Sequence, residues 1–263
     1  MQLPQITPVI LTYNEAPNLA RTLAPLAWAK RVVVVDSYST DETEAIARRH
    51  PNVDFAQRPY VDHTTKWRQA IELAGTPWVL SMDADYVLCP GFAEELQALN
   101  PPAAVDAYYA RFRYCINGLP LRATLYPPRA VLFRRARCTY VQDGHTQLLQ
   151  VPGESCFLNT LIDHDDRKPL SHWFVQQDRC ARLEAEKILR VPATQLRLQD
   201  RVRRMMIVAP PATLLYCLFA KGLVLDGWRG WFYAWQRVLA ETMLSLRLLE
   251  QRCATVAEPA QKQ

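Results

Sequence analysis

The tightest constraint in this sequence is a run of four valines closed by an acid, Val32-Val33-Val34-Val35-Asp36, which opens at once into Ser37-Tyr38-Ser39-Thr40-Asp41. Four β-branched residues in succession leave no polar face, so the run reads as a strand covered on both sides, as in a parallel sheet. Three further apolar runs, Ile6 to Thr12, Val53 to Ala56 and Trp78 to Met82, share that character. Helical patterns fall between them at about 16–23, 41–49 and 65–74. Strands alternating with helices predict an α/β sheet wrapped by helices. A capping box, Ser39-Thr40-Asp41-Glu42, is expected to start the second helix.

From about Asp106 to Asp165 the pattern changes to aromatic, strand-like segments, Tyr108 to Tyr114 and Ala130 to Arg134, separated by turn clusters such as Asn117-Gly118 and Pro127-Pro128. This reads as the second half of a mixed sheet. After Pro169 the chain reads as helix, with candidates at 178–189, 194–206, 213–225 and 228–249. The expected organisation is 1–168 as one α/β domain with halves 1–100 and 101–168, then a helical region 169–254 and a flexible tail 255–263.

The uncharged stretch Met205 to Ala220 is shorter than the roughly 20 residues that span a bilayer, and Pro210-Pro211 interrupt it. Four arginines precede it (Arg197, Arg201, Arg203, Arg204), and Trp228, Trp231, Phe232 and Trp235 follow. That mixture suits a helix lying in a lipid interface, with a helical subdomain whose aromatic stripe packs on the sheet as the alternative. The seven cysteines contain no CxxC pair, which argues against a zinc ribbon or a disulfide framework and for reduced thiols in a cytoplasmic protein. No segment of signal-peptide form precedes the first strand. The net charge of +5 favours anionic ligands such as nucleotide phosphates or a phospholipid surface, and no nucleic-acid-reading module is evident.

Ligands of open α/β sheets bind beyond the carboxyl ends of the strands, where Asp36 sits and could accept a hydrogen bond from a base or ribose. The strand 78–82 likewise runs into acid, Asp83-Ala84-Asp85. Two carboxylates one residue apart at a strand end suit a hard divalent cation that keeps substrate phosphates in its shell. Residues 12–20 contain no glycine, and neither GxGxxG nor GxxxxGK[ST] occurs, which disfavours a nucleotidyltransferase, a Rossmann dehydrogenase and a P-loop enzyme.

With these pieces in place the chain resembles glycosyltransferase family two, particularly its bacterial lipopolysaccharide-core and exopolysaccharide members. The resemblance rests on Leu11-Thr12-Tyr13-Asn14-Glu15 with Asn18-Leu19, on Val33 to Ser37 with Ser39-Thr40-Asp41 and Thr43, and on Trp78-Val79-Leu80 with Asp83-Ala84-Asp85. Val131 to Arg135 with His145 resembles the acceptor side, and Leu223 to Gly230 resembles a membrane-proximal segment. It implies a GT-A fold, meaning a mixed, mostly parallel sheet with helices on both faces, here with a C-terminal helical extension. It also implies a nucleotide-diphosphate sugar donor such as a UDP-sugar, Mg2+ or Mn2+, and inversion at the anomeric carbon.

Carried over, Thr12, Asn14 and Glu15 would line the nucleotide pocket, Asp36 would contact the base, Arg68 would lie near the donor, and Asp83 and Asp85 would handle ribose and metal. Relatives often follow the later histidine with a glutamate, where this chain has Thr146. Asp143, two residues before His145, is therefore the candidate base, with Glu154 and Asp163 behind it; His145 is read as metal ligand, phosphate donor or structural histidine. Asp163-His164-Asp165-Asp166 reads first as a solvated acidic turn, with a metal site as its alternative. The expected acceptor is lipid-linked or part of a lipopolysaccharide or exopolysaccharide, reached from the inner face of the cell membrane. The alternative class is a catalytically degenerate scaffold that binds a partner.

Overall fold

The computed structural model describes residues 1–143, 146–192 and 194–257. The chain divides into two compact units, one formed by Met1–Pro120 with Thr124–Lys168, the other by Leu121–Ala123 with the chain from Pro169 onward.

In the first unit, β1 (Ile6–Thr12), β2 (Val32–Asp36), β3 (Val53–Gln57) and β4 (Trp78–Asp83) alternate with helices α1 (Leu19–Leu23), α2 (Thr43–Arg48) and α3 (His63–Glu72). There follow β5 (Tyr86–Leu88), α4 (Phe92–Ala98), β6 (Val105–Ala110), β7 (Phe112–Ile116), β8 (Leu119–Pro120) and β9 (Arg129–Arg134). The unit closes with a hairpin, β10 (Thr139–Asp143) and β11 (Thr146–Gln150), then β12 (Glu154–Phe157) and β13 (Ile162–His164). The main sheet has the order β12-β6-β9-β4-β1-β2-β3. Pairings within β4-β1-β2-β3 and between β12 and β6 are parallel, while β9 runs antiparallel to both β4 and β6.

Period-two alternation sorts the strand residues into two cores. Ile6, Ile10, Val32, Val34, Leu80 and Met82 pack with α1, α2 and α4 through Leu19, Leu23, Ile46 and Leu96. Val9, Leu11, Val33, Val35 and Val79 pack on the other face with Trp67, Ala70 and Ile71 of α3 and with Tyr140 and Leu149 of the hairpin. The valine run is apolar throughout because both of its faces are covered.

Several local expectations need correction. Residues 16–18 form a loop, because the backbone N–H groups of Asn14, Glu15 and Ala16 donate to the side chains of Ser39, Thr43 and Asp41. The capping box does not form: Ser39 Oγ donates to Asp36, and Asp41 accepts from the Thr43 backbone N–H in its place. The segment 108–114 is two strands, broken at Arg111.

The second unit is helical: α5 (Leu170–Arg190), α6 (Leu198–Arg204), α7 (Ala209–Leu215) and α8 (Trp228–Ala257). Pro169 precedes a helix eight residues longer at its start than the sequence pattern suggests. Pro210 and Pro211 open α7, since the first turn needs no backbone donors there. That helix runs into a π turn (Tyr216–Ala220) and a short 3-10 turn (Leu223–Asp226). No helix of the described residues is long and apolar enough to cross a membrane.

Candidate active site

Register places the acids. Thr12 pairs with Asp36 across β1 and β2, and Leu11 pairs with Asp83 across β1 and β4, so both aspartates end strands at one edge of the sheet, separated by β1. At normal strand spacing that is about 10 Å.

The loops above this edge are stitched together. Asp36 is 0% exposed and its carboxylate accepts from Thr12 Oγ1 (2.8 Å), Ser39 Oγ (2.5 Å) and Ser39 N (2.7 Å). Asn14 Oδ1 accepts from Thr40 N at 2.8 Å. Asp36, Thr12 and Asn14 thus spend their polar atoms on shaping the platform, and Asp36 does not face open solvent for base contact. Asn14 and Tyr38 both hold positive φ (53° and 59°), a conformation kept where surroundings enforce it. The rings of Tyr13 and Tyr38 stand exposed on these loops.

Glu15 leads inward. Lys168 Nζ donates to its Oε1 at 2.6 Å and Asn18 Nδ2 to its Oε2 at 3.0 Å. Burial pushes the Glu15 carboxyl up to about 7, against the pull of Lys168. Lys66 of α3 is buried and donates to the Thr12 carbonyl at 2.8 Å; burial pulls its ammonium down to about 8, against the attraction of Asp36 and Glu15. Arg68, two residues on, instead donates to the Tyr140 carbonyl at 2.8 Å and 3.1 Å. The α3 cation that reaches the strand tips is Lys66.

The acidic triplet turns away from the sheet plane, with Ala84 buried between two partly exposed aspartates and its carbonyl held by Thr22 Oγ1 at 2.6 Å. The small sheet β5-β13-β7-β8 then brings in a residue from far along the chain. Its register pairs His164 with Tyr86, next to Asp85, and His164 Nε2 lies 3.1 Å from Asp85 Oδ2. Burial alone would raise the Asp85 carboxyl, but the charge and hydrogen bond of His164, with Lys168, hold it below the usual range. Burial opposes protonation of His164, and Asp85 more than reverses that. The stretch 163–166 is therefore not a solvated turn. Asp165 is buried and ion-paired with Arg21 and Arg167, Asp163 is paired with Arg113, and Asp166 accepts from Asn18 Nδ2 at 2.8 Å.

Tyr86, Tyr114 and Tyr126 enclose the His164 ring, with centroids 5.5, 4.9 and 4.6 Å away. Arg129 lies over Tyr126 at 5.1 Å. β9 pairs with β4 as far as Leu132 opposite Leu80, and burial of Arg129 beyond it is more than offset by neighbours that include the charge of Asp83.

Among the described residues, four buried polar atoms around these strand ends lack a partner: Ser37 Oγ, Asp85 Oδ1, His164 Nδ1 and Arg129 Nε. Buried polar groups are normally satisfied, so four orphans in one region mark where an external polar group belongs. Carboxylate and imidazole donors with a free oxygen on Asp85 fit a hard or borderline divalent cation. Among the described residues no group of three or more His, Cys, Asp or Glu side chains is gathered to hold a metal. A cation that retains substrate phosphates needs only one or two protein ligands.

Of the acceptor-side candidates, Asp143 ends β10, its backbone paired with Thr146, and its side chain is not among the described ones; His145 lies outside the described residues. Thr64 Oγ1 donates to Gln142 Oε1 at 3.0 Å, so α3 anchors this strand next to Asp143. Glu154 is exposed on β12, at the edge of the main sheet.

A mostly parallel sheet with acids and unsatisfied polar atoms at its carboxyl edge is the arrangement in which open α/β proteins take up a ligand. The sequence profile of glycosyl transferase family 2 matches residues 7–157, and the chain belongs to that family. An uncharacterized glycosyltransferase of Rickettsia felis is 30% identical over 109 residues, 41% of this chain and 38% of that protein. One from Rickettsia conorii is 31% identical over 107 residues, 40% of this chain and again 38% of the relative. The matched segment thus spans well under half the length of these relatives. Among solved structures, S. aureus TarS 1-349 in complex with UDP-GlcNAc overlays with a TM-score of 0.49 at 14% identity, covering 90% of each chain. Glucosyl-3-phosphoglycerate synthase from Mycobacterium tuberculosis, in complex with Mn2+, UDP and glucosyl-3-phosphoglycerate, overlays at 0.44 and 13% identity, covering 69% of this chain and 79% of that one.

Proposed function

We propose that this chain transfers a sugar from a nucleotide-diphosphate donor, a UDP-sugar first among them, to a hydroxyl of a lipid-linked, lipopolysaccharide or exopolysaccharide acceptor, with inversion at the anomeric carbon. The observation that carries the reading is the cluster of orphaned polar atoms around Asp83, Asp85, His164 and Arg129 at the carboxyl edge of the sheet. Family membership supplies the reaction class.

On this reading the nucleoside rests on the platform shaped by Asp36 and Asn14, with Tyr13 and Tyr38 offering exposed ring faces to the base. Asp85 and Asp83, with His164 beside them, would hold Mg2+ or Mn2+. When bound, such an ion neutralises charge on a departing nucleoside diphosphate. Arg129 and Lys66 add fixed positive charge on the same edge, and Lys168 keeps Glu15 in place beneath it. The acceptor oxygen attacks the anomeric carbon while its proton passes to a carboxylate, for which Asp143 is our candidate, and the carbon–diphosphate bond breaks on the opposite side. The enzyme would work on acceptors at the inner face of the cell membrane.

The test is release of UDP from a panel of UDP-sugars with Mn2+ present, followed by NMR of the anomeric configuration of any glycoside formed. Turnover with inversion is expected. Neither binding nor turnover across donors would favour a degenerate scaffold.

A further inference from the structure

Between Arg201 and Leu225 the chain contains no aspartate or glutamate, yet four bases, Arg201, Arg203, Arg204 and Lys221. Burial in the helical unit decides what faces water there. Along α7 and its π turn, Pro211, Ala212, Leu215, Tyr216, Phe219 and Ala220 are all exposed, at a spacing of four residues and with no polar side chain interposed except the hydroxyl of Tyr216. Phe219 is 67% exposed, and Ile207, just ahead of the helix, 82%. The opposite side, Cys217 and Leu218, is buried. A second stripe runs along the start of α8, where Trp228, Trp231, Phe232 and Trp235 are exposed at positions i, i+3, i+4 and i+7. A soluble helix ordinarily turns such a face inward, and exposed apolar area on this scale marks an interaction surface.

Charge narrows the occupant. Arg203 is neutralised inside the unit by Glu241, Asp200 and Glu184. Arg201 donates only to the carbonyls of Leu196 and Thr194, and no carboxylate among the described residues pairs with it or with Arg204. Arg204 Nη1 is buried without a partner. Arg201 and Arg204 line an open depression of about 460 Å3 with Leu196, Thr194 and Met205. Lys221 lies beyond the other end of the stripe, over the Tyr216 ring at 5.6 Å. An apolar strip with uncompensated cations at both ends and tryptophans nearby matches an anionic lipid interface, where acyl chains meet phosphates.

We propose that this face of the helical unit, α7 with its π turn and the start of α8, docks on the surface of an anionic phospholipid bilayer, with the Arg201–Arg204 depression receiving a lipid phosphate. It deepens the membrane side of the proposed function but draws on the helical unit alone.

The test is co-sedimentation of the full chain with vesicles of phosphatidylcholine, with and without phosphatidylglycerol, alongside analytical ultracentrifugation and UDP-induced thermal shift. Wild type should bind the mixed vesicles about tenfold better than neutral ones and lose binding in high salt. Leu215→Glu with Phe219→Glu should abolish binding, and Arg204→Gln with Lys221→Gln should weaken it about 25-fold, at about fivefold per charge. Melting temperature reports whether each variant is folded. Wild type that is folded but ignores anionic vesicles overturns the proposal. So does self-association that Leu215→Glu with Phe219→Glu abolishes while vesicle binding is absent, which would assign the face to a second copy of the chain. A UDP response with no vesicle binding removes only the docking surface; vesicle binding with no UDP response leaves it standing and counts against sugar transfer.

Discussion

The two units of this chain differ in what they leave uncovered. The sheet unit buries its apolar side chains on both faces and keeps unsatisfied polar atoms at one edge. The helical unit buries one apolar cluster around Ala185, Ile188, Leu244 and Leu248 and further residues such as Leu223 and Tyr233, has orphaned atoms of its own on Arg204, Gln236 and Arg237, and leaves large apolar side chains in water. A buried orphan donor costs roughly 1–3 kcal/mol unless something supplies its partner. An exposed apolar strip forgoes about 25 cal/mol per Å2 until something covers it. Each defect describes a complement from outside the chain, polar and multiply charged at one place, extended and apolar at the other.

The sharpest way to break the comparison is at the acidic edge. Asp85→Asn keeps the shape but removes charge from the orphaned oxygen, and turnover of UDP-sugars should fall by about two to three orders of magnitude, with a lower melting temperature from loss of the His164 ion pair. Leu80 is 0% exposed in the sheet core. Leu80→Ala should destabilise by about 2–5 kcal/mol in chemical denaturation.

The Glu15 site offers a pH test. Its carboxyl is raised from 4.5 to about 7 in the folded state, so between those values the native chain binds more protons than the unfolded one. Stability from this group is therefore present below pH 4.5 and declines as pH rises towards 7, by up to about 3 kcal/mol. Glu15→Gln should flatten that decline in denaturation curves taken at pH 5 and pH 8. The smallest effect belongs to the other unit: Leu215→Ser, on the exposed strip, should shift stability by no more than about 0.5 kcal/mol. A large loss there would show that the strip is core.

The same contrast explains what could be read from the sequence. The four leading strands were legible to within a residue because burial on both faces forces unbroken apolar runs, and the acids that end them stand in the same local pattern. Lys168, Lys66 and Arg129 were not, and His164 stood only in the alternative metal-site reading of 163–166. His164 reaches Asp85 only through the register of β13 on β5, and Arg129 approaches Asp83 only through β9 on β4; both pairings join segments tens of residues apart. Pro127-Pro128 before Arg129 signals a strand start, but not the neighbour it will meet. Helix starts failed where side chains captured the backbone donors first, as Ser39, Thr43 and Asp41 do for residues 14–16.

The most direct measurement is calorimetric titration of UDP into the full chain with Mn2+ and then with the ion chelated. Binding that requires the ion, is lost in Asp85→Asn and persists in Leu215→Ser is the predicted result. UDP that fails to bind under any condition, or that binds equally well without the ion and in Asp85→Asn, would contradict the assignment of the acidic edge.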